Sequence, residues 1–164
     1  MDWRKFRAFL EKKYNVKQAY MFIGYMQEHE SLYEQMHELG YSVVLKPTVD
    51  MNAYEAQKAA ESAEKDPLKP VEPVVKHQTK GNVDADLVLY AMKEIPNYDK
   101  AIIVSGDGDF FGLIEYLDQQ DRLLHVLTPN WQYSSLLKPF EKYIVRLDQL
   151  KRELSYYDHR KKKN

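Results

Sequence analysis

Two short stretches of the chain carry the residue types that acid–base or metal-assisted chemistry needs. Ser105-Gly106-Asp107-Gly108-Asp109 sets two carboxylates among glycines, directly after the apolar run Ala101-Ile102-Ile103-Val104. Asp84 and Asp86 stand in the first turn of a helical pattern that starts at Val83, preceded by Lys80-Gly81-Asn82. Carboxylates bring negative charge and lone pairs without a proton at neutral pH. Three of them without thiolates suit a hard cation with oxygen ligands, Mg²⁺ or Mn²⁺. Such an ion polarises a phosphodiester oxygen and makes hydroxide from bound water.

Asp84, Asp107 and Asp109 are therefore the candidate metal-binding and catalytic set, while Asp86 falls toward the solvated side of its helix. Each acid also has an ordinary explanation. Asp is a favoured N-cap, contributing about 0.5–2 kcal/mol, and Asp84 and Asp109 both sit where a cap is wanted. Asp107, between two glycines ahead of that cap, is harder to explain in this way. Lys80 offers a point charge to a phosphate, with Asn82 beside it, or is a solvated loop lysine. Asn130, following Pro129, is placed either to reach the same crevice or simply to form a turn.

These residues need a scaffold, and the hydrophobic spacing supplies one. Residues 2–14 form a helix with Trp3, Phe6, Phe9 and Leu10 on one face. A buried strand follows at 19–23, then a helix at 31–39 with Leu32, Met36 and Leu39 inward, closed by Gly40. Residues 41–45 make a second strand, stopped before Pro47. Residues 48–79 form an excursion, with an Ala-, Glu- and Lys-rich helix at 53–65 and then Pro67, Pro70 and Pro73. Alternation resumes with a helix at 83–95, with Val83, Leu87, Tyr90, Ala91 and Met92 inward. The strand at 100–104 is of the kind buried on both faces. A helix at 110–119, a strand at 123–127, a short helix at 134–140, a strand at 143–147 and a helix at 148–157 complete it. Such alternation predicts a three-layer α/β fold with a mostly parallel sheet. In such sheets ligands sit beyond the carboxyl ends of the strands, where Asp107 and Asp109 fall.

Composition bounds the rest. The chain has 164 residues, 44% hydrophobic and 30% charged, which fits one compact domain over 1–158 with a basic tail at 159–164. Lys plus Arg number 24 and Asp plus Glu 25, a net charge of −1. That balance excludes the strongly basic footprint of a non-specific duplex binder. There is no cysteine, which excludes disulfides, thiolate zinc sites and a cysteine nucleophile. With no long apolar run and a charged amphipathic start, the default compartment is the cytoplasm and no membrane is involved. The histidines at 29, 37, 77, 125 and 159 show no metal-ligand spacing. Trp131, Tyr133 and Tyr25 fall in loops near the active edge, where packing is favoured over base stacking.

Lys80-Gly81-Asn82-Val83-Asp84 followed by Ala101 through Phe110, AIIVSGDGDF, resembles the NYN domain family (the LabA-like or DUF88 group) of PIN-like nucleases. So do the stretch from Asp2 through Tyr25, and Thr128-Pro129-Asn130 with Tyr133-Ser134-Ser135-Leu136-Leu137. The resemblance implies a PIN-like Rossmannoid fold and a divalent-metal endoribonuclease acting on RNA, with Asp84, Asp107 and Asp109 at the acidic positions and Ser105 holding the strand-end turn. It also implies that the chain starts after the family's central opening strand, whose I-D-x-x-N motif is not found here. An acid found in many relatives is replaced by Tyr90. The alternatives are a non-catalytic RNA-binding or homo-oligomeric protein on the same fold, and a haloacid-dehalogenase-type phosphatase. The phosphatase needs an Asp-x-Asp nucleophile, met only by Asp84-Ala85-Asp86 inside a helix.

Overall fold

The computed structural model describes residues 1–46 and 83–156. The helix expected at 53–65, along with Lys80 and Asn82, lies outside them. The chain opens with α1 (Trp3–Tyr14), whose first amides are capped by the Asp2 carboxylate at 3.0 and 3.1 Å. Asn15 ends it in the left-handed conformation, φ 57°. Then come β1 (Tyr20–Gly24), α2 (Glu30–Glu38), β2 (Ser42–Lys46), α3 (Asp84–Lys93), β3 (Ala101–Ile103), α4 (Phe111–Gln119), β4 (Leu123–Thr128), β5 (Ile144–Arg146) and the single turn α5 (Lys151–Leu154). The element expected at 134–140 is a 3₁₀ helix, Ser135–Tyr143, because Pro139 has no N–H to continue an α-helix. The helix expected at 148–157 is a 3₁₀ turn, Leu147–Leu150, leading into α5.

Among the described residues all strand pairs are parallel, but they form two sheets, β1–β2 and β3–β4–β5. Side chains alternate across each strand. Ile103, Val126 and Ile144 join one cluster with α3 and α4 through Leu87, Val88, Ala91, Leu113, Ile114 and Leu117. Their neighbours Ile102, Leu127 and Val145 point the other way, onto Phe6, Phe9 and Leu10 of α1. A bulge takes up one residue of β4, so Leu123 and Val126, three apart, lie on the same face. In the small sheet Tyr20 and Phe22 meet Tyr90 of α3, while Met21 and Val43 turn toward Met36 and Tyr41. Helices thus cover both faces, and the fold is the expected three-layer α/β arrangement.

Several expectations change. Among the described residues no strand pairs the outer edge of β1 or β3. The strand at 100–104 is therefore not buried throughout: Ile103 is buried, but Val104 is 44% exposed. β1 is half-exposed for the same reason. In α2 the buried residues are Tyr33 and Met36, with Leu32 at 39% exposure. The Tyr33 hydroxyl accepts from the Met26 amide at 2.9 Å and lies 3.3 Å from the Gly24 carbonyl, which fixes the phase of the helix. Met92 and Trp3 are also partly exposed, the latter edge-on to Phe6 and Tyr41.

α1 also fastens the small sheet. The Arg7 guanidinium donates to the carbonyls of Gly40, Val16 and Lys17 at 3.1, 3.2 and 3.0 Å. The Tyr41 hydroxyl, almost wholly buried, donates to the Trp3 carbonyl at 2.9 Å. Burial pushes that phenol up to about 12 from its ordinary 10.0. Above pH 10 the unfolded chain loses this proton while the folded chain keeps it. The contribution is therefore fully present below pH 10 and lost as pH rises toward 12. Tyr41→Phe is expected to remove about 1 kcal/mol at neutral pH. It should also make the fall in thermal midpoint between pH 10 and 12 shallower than in the wild type; parallel slopes would contradict this account.

Candidate functional site

The loop that leaves β3 is built by its own side chains. The Asp107 amide donates to Ser105 Oγ at 3.1 Å, and the Asp109 amide to Asp107 Oδ1 at 3.0 Å. Asp107 thereby caps the 3₁₀ turn Gly108–Phe110 that leads into α4. The cap is Asp107, not Asp109, because β3 ends at Ile103 and leaves more of the segment to the loop. Phe110 plunges into the main core and anchors the turn. Both carboxylates remain exposed to solvent.

A second loop, after β4, is zipped onto the first. The Ser134 amide donates to the Gly106 carbonyl at 2.9 Å. Asn130 Oδ1 accepts from the Gln132 amide at 2.7 Å, the turn-forming use of this residue. Ser134 Oγ accepts from the Leu136 amide at 3.3 Å. The contact is close enough to require glycine. A Cβ on Gly106 would stand 3.3 Å from Tyr133 Cβ, and one on Gly108 would overlap Ser134 Oγ and lie 3.0 Å from Leu136 Cδ1. Trp131 projects from this loop at 65% exposure, whereas Tyr133 is half-buried against the core. The expectation that Trp131 packs is thus overturned. Tyr25 donates its hydroxyl to Glu30 at 2.9 Å.

The third component is the start of α3. Val83 precedes it without a side-chain cap, so Asp84 is its first residue, not its N-cap. Asp84 heads the face that continues through Leu87, Val88 and Ala91, the residues that lean on the cluster holding Ile103 and Phe110. α3 accordingly touches the Gly108–Phe110 turn as well as β1. On its other side Asp86 pairs with Lys46, at the carboxyl end of β2, at 3.0 Å. The start of α3 and the carboxyl ends of the strands therefore share one edge of the molecule.

Three further groups at this edge were not singled out from the sequence. Lys46 escaped notice as the last residue of a strand; its position just before Pro47 was the available signal. Arg146, ending β5 beside Thr128 of β4, binds Asp148 through two contacts at 3.1 and 2.6 Å. The Arg146 hydrogen bond holds the Asp148 carboxyl below its ordinary value. Thr128 is completely buried, and its Oγ1 has no hydrogen-bond partner among the described residues. In the sequence it stands out only as the first residue of the Thr128-Pro129-Asn130 stretch.

The NYN domain family model matches residues 1–147. The chain belongs to the NYN domain family. Its members are part of the PIN-like nuclease superfamily. No curated protein matches this NYN domain, and no solved structure does. Such domains generally use divalent metals, and the carboxylate donors here suit a hard cation by type. Among the described residues no three Asp, Glu or His side chains gather in a way that could by themselves hold a metal ion. No helix of the described residues is long and apolar enough to cross a membrane.

The fit between the two loops is open to direct test. Gly108→Ala should destabilise this NYN domain by about 1–3 kcal/mol, since a methyl has no room against Ser134 and Leu136. Adding Ser134→Ala, which removes the nearest atom, should restore part of that loss in a denaturant titration. An unaffected single variant would show that the loops are not held together.

Proposed function

We propose that this NYN domain is an endoribonuclease that cleaves RNA at the shared carboxyl edge, with Mg²⁺ or Mn²⁺ required. Asp84, Asp107 and Asp109 would be its acidic residues, and a cytoplasmic setting goes with this reading. The supporting observation is the exposed Asp107–Asp109 pair, held rigid by Ser105 and by the second loop at the end of a parallel strand. Family membership supplies the substrate class. The chain's own groups do definable work here. Ser105 and the Asp107 cap fix the loop, the Phe110 anchor fixes its height, and the Asp109 carboxylate is left to face an incoming strand. Asn130 serves its turn through Oδ1, which leaves its amide NH₂ as the group available to a substrate.

A second reading is favoured by one specific observation, the dispersed carboxylates. On that reading the domain retains RNA without cutting it.

The two readings separate in a single set of assays. Asp107→Asn keeps an acceptor for the Asp109 amide, so its stability should stay close to wild type. Cleavage of labelled RNA with Mn²⁺ should nevertheless fall by about 100-fold or more, as should that of Asp84→Asn and Asp109→Asn. Equal rates in the wild type and all three variants would end the nuclease reading. RNA retention by the wild type without turnover, with or without Mn²⁺, would establish the second.

A further inference from the structure

We infer that Trp131 is a stacking platform for a base of single-stranded RNA, an inference that rests on the reading of this edge as RNA-directed. Tryptophan is a highly buried residue type on average, yet this indole is 65% exposed. No other aromatic ring of the described residues contacts it. Nor is it left on a loose tip. Asn130 Oδ1 holds the Gln132 amide at 2.7 Å and so closes a turn around Trp131. Two residues further on, Tyr133 lies against Gly106 and Ser134 donates to the Gly106 carbonyl. Trp131 is therefore anchored on both sides and stands within a few residues of the loop that carries Asp107 and Asp109.

Electrostatics leaves room for such a contact. The edge presents exposed carboxylates of the same sign as an RNA backbone. Lys46 and Arg146, the cations identified there, are each already paired with a carboxylate, Asp86 and Asp148. These two paired cations add little net attraction, and an uncharged contact would add to what the proposed cation supplies. An aromatic face contributes about 1–3 kcal/mol per stacked base and does so without charge. The neighbours argue for a base over an apolar protein surface. Gln132 and Ser135 are exposed and Asn130 is half-buried, all three polar, with Leu136 as an exposed apolar residue on the same loop. An indole among hydrogen-bonding groups suits a base, which has a π face and polar edges. Protein-docking anchors instead sit in desolvated surroundings.

The test uses the full chain with Trp3→Phe, so that Trp131 is the single indole. A short oligoadenylate is titrated while indole emission is followed, and its affinity is measured by anisotropy for Trp131→Ala and Trp131→Phe. Binding should quench the emission. Trp131→Ala should weaken affinity roughly 5- to 100-fold with an unchanged melting temperature. Trp131→Phe should retain most of the affinity, and the salt dependence should be the same in all three. If the wild type binds RNA but Trp131→Ala binds within twofold of it, the stacking role is wrong and the RNA reading stands. Equal affinity for an abasic ribose-phosphate oligomer would overturn the stacking role in the same way. If the folded wild type binds no RNA at all, the RNA reading fails and the stacking role with it.

Discussion

Two parallel sheets that share no strand-to-strand hydrogen bonds among the described residues must be held together by something other than a ladder. The structure does this with helices. On one face α1 presses Phe6, Phe9 and Leu10 onto the three-stranded sheet, while Arg7 grips three carbonyls at the small sheet and Trp3 accepts the Tyr41 hydroxyl. On the opposite face α3 places Tyr90 against β1 and its Leu87, Val88 and Ala91 stripe against the main core. Side-chain packing from two directions therefore replaces backbone pairing. Aromatic residues suit this duty, since each buries a large area and adds edge-to-face attraction. Tyr90 serves as the keystone of that contact.

The same bridging sets what stands at the carboxyl edge. Because α3 spans both sheets, its first turn is pinned at the carboxyl edge by Lys46 on one side and by the Phe110 turn on the other. Asp84 is thus tied to the edge that bears Asp107 and Asp109 through packing of its own helix. The loops there depend on side chains bonding to nearby amides, with Ser105, Asp107, Asn130 and Ser134 each closing a short turn. Such local bonds give a rigid loop without burying it. Rigidity with exposure is what a site for a large, flexible substrate needs. The orphan hydroxyl of Thr128 runs against stability at this edge, since an unsatisfied buried donor costs about 1–3 kcal/mol.

What could be read from the sequence was governed by locality. The turn after the apolar run, the helix stop at Gly40 with φ 85°, and most of the α1 face follow from residues a few positions apart. The acidic loop was legible for that reason, and so was the family. Longer-range effects were not. Leu32 looked as good an inward residue as Tyr33 until the phenol met the Met26 amide across a turn. The strand at 100–104 reads the same whether one or two of its edges are paired, so the division into two sheets left no mark on its hydrophobicity. The cap passed from Asp109 to Asp107 because the strand stops at Ile103, and strand ends are set by partners rather than by composition. Lys46 is an ordinary strand-end cation in one dimension and meets Asp86 only in three.

Those two pairs bear on how the edge would discriminate among ligands. Had Lys46 and Arg146 been free, any polyanion would have been attracted, and selection would have rested on charge alone. Paired with their own carboxylates, these two residues leave little free positive charge of their own at the described edge. A ligand that settles there must bring its own countercharge or offer a surface other than phosphate. Single strands with unstacked bases meet the second condition and paired duplexes do not, since their bases are hidden from a lateral indole. The near-zero net charge of the chain extends the same preference to longer range, because no broad positive field draws duplexes in. On the proposed reading, discrimination for exposed bases would arise from what the edge withholds, its unpaired positive charge, as much as from the ring it presents.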